Sequence, residues 1–168
     1  MKQIMLIGLL LVLCGCQAQP AWEVVEDLQP AGEIIRWQET SCDIELSLPE
    51  EAVLTEQNPN EMLYELGSAE IMTTRFLASD YASAVEYLTG YEAENLNILQ
   101  TARFDIPEYQ FTWYSQTEEG GRLYRADLLV DGITCYAVVC SVPETDGTFN
   151  EQVRQVFSSF SLSQSELV

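Results

Sequence analysis

Apolar and polar side chains alternate between residues 42 and 48, where the apolar members are Cys42, Ile44, Leu46 and Leu48. A period of two is typical of a strand that buries one face. We therefore predict a strand that ends at Pro49 and carries Cys42 on its core side. After a turn signal at Asn58-Pro59, two further strands are predicted over 62–68 and 69–77, on either side of Gly67.

Two segments show the longer spacing of an amphipathic helix. In the first, Ser79 or Asp80 can act as the N-cap, and Gly90 closes the helix. The second segment begins with Thr148-Phe149-Asn150-Glu151, which has the form of a capping box. Its apolar stripe is Phe149, Val153, Val156, Phe157 and Phe160.

Strand character resumes between the two helices, over 96–104 and 109–115. Tyr109, Phe111 and Trp113 alternate with polar residues in the second of these runs. An aromatic row of this kind can form a ligand-binding wall, but at a period of two it favours a core face.

The strongest local signal is a hairpin over 122–142, with Asp131-Gly132 as a type I′ turn. This turn pairs Val130 with Ile133. One face is then nearly all apolar, and its members are Tyr124, Ala126, Leu128, Val130, Ile133, Cys135, Ala137 and Val139. The opposite face is mixed, so we expect it to be partly covered or available to a partner.

Three local features carry a resemblance to a known fold: the early strand ending in Leu48-Pro49, the hairpin strand ending in Val142-Pro143-Glu144, and the helix tail Ser159-Phe160-Ser161-Leu162. With the order of elements, they resemble the PsbP-like fold from about Trp37 onward. That α/β/α sandwich is shared by photosystem II extrinsic subunits, a nuclear-import Ran-binding family and several bacterial lipoproteins.

The resemblance implies an α+β fold, in which helices pack on an antiparallel sheet, and a binding or assembly module rather than an enzyme. It supplies no catalytic motif, and fold alone does not fix function. A cystatin- or NTF2-like α+β fold is the alternative, against which the helix in the middle of the chain argues.

The N-terminus combines Lys2 with an apolar run of about ten residues from Ile4 to Leu13. This run is too short to span a bilayer and is typical of a secretory signal peptide. The following Leu13-Cys14-Gly15-Cys16 resembles the bacterial lipobox. The resemblance implies cleavage before Cys16 and a diacylglycerol on its sulfur. An ordinary signal peptide with incidental cysteines is the alternative.

The resulting organisation is a signal peptide at 1–15, a lipid-anchored tether at 16–36 and a single domain at 37–168. We expect the protein to be exported and anchored to the bacterial membrane on its extracytoplasmic side, since two acyl chains anchor stably where one is marginal. Apart from this lipid, the sequence predicts no cofactor.

The charge of the mature chain is strongly negative, because 27 acidic residues stand against six arginines once Lys2 is removed, which leaves about −21. A nucleic-acid partner is excluded, since phosphates must be neutralised by a basic surface. Anionic lipid headgroups are also repelled, so the lipid must hold the membrane. Cationic partners fit this charge, among them an envelope protein with a basic or mixed surface. A dispersed acidic surface that only maintains solubility is the alternative.

Histidine is absent and Lys2 is the only lysine. Ser-His-Asp and Cys-His sites, histidine-based zinc sites, Schiff-base lysines and P-loops are thereby excluded. A pair of carboxylates such as Asp127 and Glu108 still permits hydrolysis of wall glycans. A non-enzymatic accessory is favoured over this alternative.

Cys135 and Cys140 lie five residues apart in one predicted strand, hence about 16 Å apart on opposite faces, too far for a disulfide. A disulfide must therefore join Cys42 to one of them, unless all three are reduced, buried thiols.

A calcium site is a further alternative function, and it depends on clusters of oxygen ligands. The candidate ligands are Glu92, Glu94 and Asn97 in one cluster, and Glu118 and Glu119 in the other. Neither cluster has EF-hand spacing, so solvated loops are the alternative.

Overall fold

The structure, a computed structural model, describes residues 33–36, 43–118 and 120–163. These residues form ten strands and two α-helices. The strands are β1 (Glu33–Arg36), β2 (Ile44–Leu48), β3 (Val53–Asn58), β4 (Glu61–Leu66), β5 (Ala69–Leu77), β6 (Ile98–Arg103), β7 (Ile106–Thr117), β8 (Gly120–Asp131), β9 (Thr134–Pro143) and β10 (Ser161–Leu162). The helices are α1 (Tyr81–Thr89) and α2 (Glu151–Ser159).

A seven-stranded sheet in the order β3-β4-β5-β9-β8-β7-β6 is the centre of the molecule. Its neighbouring strands are all antiparallel. Helix α1 packs on one face, and helix α2 packs on the other together with the small sheet β1-β2-β10. The predicted α+β class, an antiparallel sheet with helices on it, is confirmed.

Helix α2 and strand β2 together bury the first core. Phe157 of the helix, Phe160 directly after it, and Ile44 and Leu46 of the strand are each 1% exposed or less. The predicted capping box is wrong, because Asn150 is the N-cap and its Oδ1 accepts a hydrogen bond from the Val153 amide at 2.9 Å. The amide of Thr148 instead donates to the carbonyl of Asp146, so residue 148 still belongs to the preceding turn.

Helix α1 covers the second core on the opposite face. Asp80 is its N-cap and accepts a hydrogen bond from the Ser83 amide at 2.8 Å, which decides between the two predicted caps. Gly90 ends the helix in the left-handed region, as predicted. Tyr109 and Phe111 are buried beneath α1, so this end of the aromatic row is a core face.

The hairpin of β8 and β9 has the predicted faces but a different turn. Asp131 pairs with Thr134, and Val130 therefore pairs with Cys135 rather than with Ile133. Gly132 alone of the turn residues has positive φ, whereas a type I′ turn needs two such residues. Because the shift is two residues, side chains keep their faces. Only Ile133 leaves the apolar face, and it is 62% exposed in the turn.

The other face of this hairpin is mixed, as predicted, and of the two expected outcomes it is the covered one. Leu129, Val138 and Cys140 belong to the core beneath α2 and β2. The charged residues of this face, Arg125 and Asp127, are held in the same layer.

Strand β3 has no counterpart in the sequence predictions. All six of its residues are exposed, so its sequence carries no alternation that could mark a strand.

Strand β1 pairs with β2 from Glu33 to Arg36, which extends the small sheet into the segment predicted as tether. Residues 1–32, which include the predicted signal peptide, lie outside the described residues. In the described part, no helix is long and apolar enough to cross a membrane.

Candidate binding face

Asp127 and Glu108, the carboxylates considered for hydrolysis, meet on the α2 side of the large sheet. Asp127 is 1% exposed and Glu108 is 3% exposed. Arg103 reaches both, with its Nη2 2.8 Å from Glu108 Oε1 and 3.9 Å from Asp127 Oδ2. Arg125 Nη2 lies 3.3 Å from Asp127 Oδ1. The two carboxylates are thus the anions of a buried ionic cluster and do not face a cleft.

The ionic cluster also holds the end of helix α2. Arg103 Nη1 donates to the carbonyl oxygen of Phe160 at 2.8 Å. The guanidinium carbons of Arg103 and Arg125 lie 5.6 Å and 4.3 Å from the ring centroids of Phe160 and Phe157. Cations within about 6 Å of a ring centroid are attracted to the ring. The arrangement therefore joins strands β6, β7 and β8 to the C-terminal helix, which is a structural role.

Burial raises the pKa of Asp127 to about 6, and the negative charge of Glu108 acts in the same direction. Arg125 and Arg103 oppose this shift. An unfolded aspartate has a pKa of about 3.9. At a pH between these two pKa values, Asp127 is largely protonated in the folded protein and largely ionised in the unfolded chain. Asp127 therefore stabilises the folded state more at low pH than at neutral pH.

We predict that raising the pH from 4 to 7 lowers the free energy of unfolding through Asp127, by as much as about 3 kcal/mol. Urea unfolding of the native protein and of Asp127→Asn at pH 4, 5, 6 and 7 measures this effect. The variant cannot take up the proton, whereas both proteins share the surface acids. Parallel stability curves for the two proteins would contradict the assignment.

The calcium candidates lie apart in the fold. Glu92 and Glu94 belong to a 3₁₀ turn after α1, where Glu92 accepts a hydrogen bond from Asn95 at 3.4 Å. Glu118 lies in the turn between β7 and β8, and Glu119 is outside the described residues. Within the described ranges, no three His, Cys, Asp or Glu side chains are grouped to hold a metal ion.

Cys135 and Cys140 are free, buried thiols on opposite faces of β9, as their spacing predicts. Burial raises the pKa of Cys140 to about 12 and also raises the pKa of Cys135. Neither thiol is therefore activated as a nucleophile, because the thiolate is the reactive form. Cys42 lies outside the described residues, so its disulfide stays a prediction.

The α1-side face of β3, β4 and β5 is partly exposed. We call it the acidic face; it consists of Val53, Glu56, Glu61, Leu63, Glu65, Glu70 and Met72. Strand β4 shows why these residues share one face. Met62, Tyr64 and Leu66 are buried in the core beneath β2 and α2, so the alternate residues point to the other side.

Carboxylates and apolar groups alternate along β4, where Glu61, Leu63 and Glu65 share the acidic face. Val53 pairs with Glu65, and Glu65 in turn pairs with Glu70. Leu63 lies between Glu56 and Met72 in the neighbouring pairs. Glu70 is compensated, because its Oε2 lies 3.2 Å from Arg122 Nη2 and accepts a hydrogen bond from Ser141 at 3.0 Å. The other three carboxylates make no ion pair with any described residue.

A groove of about 650 Å³ opens where the acidic face meets α1. Its lining is Asn58, Asn60, Glu61, Thr74, Arg75, Phe76, Leu77 and Tyr87. Phe76 of β5 stacks on Tyr87 of α1 with ring centroids 4.5 Å apart, and Tyr87 is 68% exposed. Arg75 Nη1 lies 3.6 Å from Asp43 Oδ2. The groove thus combines an exposed aromatic ring with a carboxylate and amide groups.

This face is absent from the predictions made from the sequence. The alternation of Glu61, Leu63 and Glu65 with buried residues was a usable signal, since it marks a face that carries charge. Nothing in the sequence indicates that α1 stops short of β3 and β4.

Solved structures similar to this chain include CyanoP, the cyanobacterial PsbP of Synechocystis sp. PCC 6803. The solution structure of CyanoP aligns with a TM-score of 0.56 and 13% identity over 81% of this chain and 95% of that one. A crystal structure from Bacteroides thetaiotaomicron VPI-5482 aligns with a TM-score of 0.55 and 9% identity over 80% of this chain. The chain spans 50% of the length of that Bacteroides protein.

No protein-family model matches the chain, and no curated protein matches it. At the identities of the structural matches, the likeness concerns the fold alone. The chain therefore has the PsbP-like fold that its sequence predicts.

Proposed function

We propose that this chain is a lipoprotein anchored on the extracytoplasmic side of a bacterial membrane, where its domain serves as a non-enzymatic binding or assembly accessory. The observation that carries the binding role is the acidic face, which combines Glu56, Glu61 and Glu65, carboxylates without an ion pair to any described residue, with apolar side chains, of which Val53 is 59% exposed. Exposed apolar surface bounded by polar groups is typical of interaction sites.

The candidate catalytic residues named from the sequence do not support a catalytic role. Asp127 and Glu108 are buried and engaged by arginine, and burial raises the pKa of both described thiols. The lipobox resemblance at Leu13-Cys14-Gly15-Cys16 supports the anchoring part of the proposal. Two acyl chains hold a protein stably at a membrane that would repel its negative charge.

We predict that Cys16→Ser abolishes lipid attachment and leaves the protein unprocessed. Incorporation of radioactive palmitate in growing cells and the mobility of the protein on gels measure these two outcomes. Cys14→Ser is the matched control and is expected to be labelled and cleaved like the native protein, because position 14 does not receive the lipid in the lipobox. Labelling that persists in Cys16→Ser, or that is lost in both variants, would contradict the proposed anchor.

A further inference from the structure

We propose that the acidic face binds a basic, amphipathic segment of a partner protein, and that one lysine or arginine side chain of this segment enters the groove beside α1. This inference rests on the proposed binding role and deepens it by naming the surface and the chemistry of its partner. It depends on three features of the face, which are its repulsive charges, its exposed apolar groups and its aromatic groove.

The repulsion arises from the register of strands β4 and β5. Glu65 and Glu70 are directly opposite each other on neighbouring antiparallel strands. Like charges in such positions destabilise a sheet. Arg122 pairs with Glu70 and offsets part of this repulsion, whereas Glu65 pairs with no described cation. A cation delivered by a partner would offset the rest.

The acidic face also carries apolar side chains, so a partner can bury apolar surface on it. Val53 is 59% exposed, and Leu63 and Met72 are half-buried. Covering apolar surface is favourable by roughly 25 cal/mol for each Å² removed from water. A segment whose lysine or arginine residues alternate with apolar residues would satisfy both the carboxylates and these side chains.

The groove supplies a place for one cationic side chain. Glu61 and the exposed ring of Tyr87 both line it. A cation is attracted to an aromatic face and to a carboxylate, and the aliphatic stem of lysine or arginine packs on apolar surface. Arg75 also lines the groove but is already paired with Asp43.

Charge complementarity selects this occupant over the others. A second copy of the chain would bring a net charge of about −21 of its own, and anionic lipids or nucleic acids would likewise be repelled. For a bare metal ion, the described residues offer no cluster of three ligands.

The test uses the full-length lipoprotein in a neutral detergent and a fluorescein-labelled peptide of seven residues in which lysine and leucine alternate. Fluorescence anisotropy measures binding at about 0.15 M salt, where charges beyond about 8 Å are screened. The face variant carries Glu56→Gln, Glu61→Gln and Glu65→Gln. The matched control carries Glu94→Gln, Asp105→Asn and Glu118→Gln, which remove the same charge from exposed positions elsewhere.

We expect the face variant to bind the peptide roughly tenfold more weakly or worse, and the control to stay within about twofold of the native protein. Thermal unfolding verifies that both variants are folded. Val53→Ser should also weaken binding while leaving the melting temperature unchanged, since this side chain is exposed. Equal losses in the two triple variants, no loss in the face variant, or no binding by the native protein would each overturn the proposal. Because the assay does not involve the membrane, these results are independent of the Cys16 experiment.

Discussion

An Arg103→Met variant is expected to unfold with a free energy about 3–5 kcal/mol below that of the native protein. The substitution keeps an unbranched apolar stem but removes the guanidinium that contacts Glu108 and Asp127. Glu108 would then be a buried carboxylate whose one remaining hydrogen bond from a described side chain comes from Thr101. The carbonyl of Phe160 would also lose its donor at the end of α2.

Urea unfolding at pH 7 measures this loss, and Arg154→Met is the matched control. Arg154 is half-exposed on α2 and forms a surface pair with Glu151, so its removal should change the stability by less than about 1 kcal/mol. Adding Glu108→Gln to Arg103→Met should recover part of the loss, because it removes the charge that was left unpaired. If the two arginine variants were equally stable, the ionic cluster would not have the structural role inferred for it.

Phe157→Ala is expected to lower the free energy of unfolding by about 3–5 kcal/mol. Phe157 is 1% exposed and belongs to the first core, which also contains residues of β2 and of the large sheet. Its loss leaves a cavity where the packing around it relaxes only in part. It also removes the ring beneath the guanidinium of Arg125.

Phe104→Ala is the control for this prediction, since Phe104 is 68% exposed in the turn between β6 and β7. Its effect should be within about 0.5 kcal/mol. Phe157→Leu should lose less than Phe157→Ala, because it keeps most of the buried volume. A small loss for Phe157→Ala would mean that α2 contributes little to the core.

Local signals explain which elements the sequence predicts. Asp80 and Gly90 bound helix α1 through contacts within a few residues, so the sequence carries both ends. Strand β3 has no such signal because it lies at the edge of the sheet with every residue exposed. In the β8–β9 turn, Asp131-Gly132 has the composition of a type I′ turn, but the strand pairing moves the turn by one position.

The candidate site could be predicted only in part, because its surroundings depend on tertiary contacts that local sequence signals do not show. Asp127 and Glu108 could be named from the sequence as carboxylates, but their surroundings depend on pairing among β6, β7 and β8. That pairing brings Arg103 and Arg125 beside them beneath α2, and it turns possible acids into structural anions. The acidic face is exposed because α1 does not cover β3 and β4, and no local sequence pattern shows how much of the sheet a helix covers.

Strand β1 would have a mechanical consequence for an anchored protein. Residues 33–36 form four successive pairs with β2, from Glu33–Leu48 to Arg36–Glu45. If the chain is anchored through Cys16, tension that reaches Glu33 would load these four pairs before it reaches β2. Strand β2 stays attached through β10 and its buried side chains. The small sheet would thus yield to tension before the large sheet bears any load.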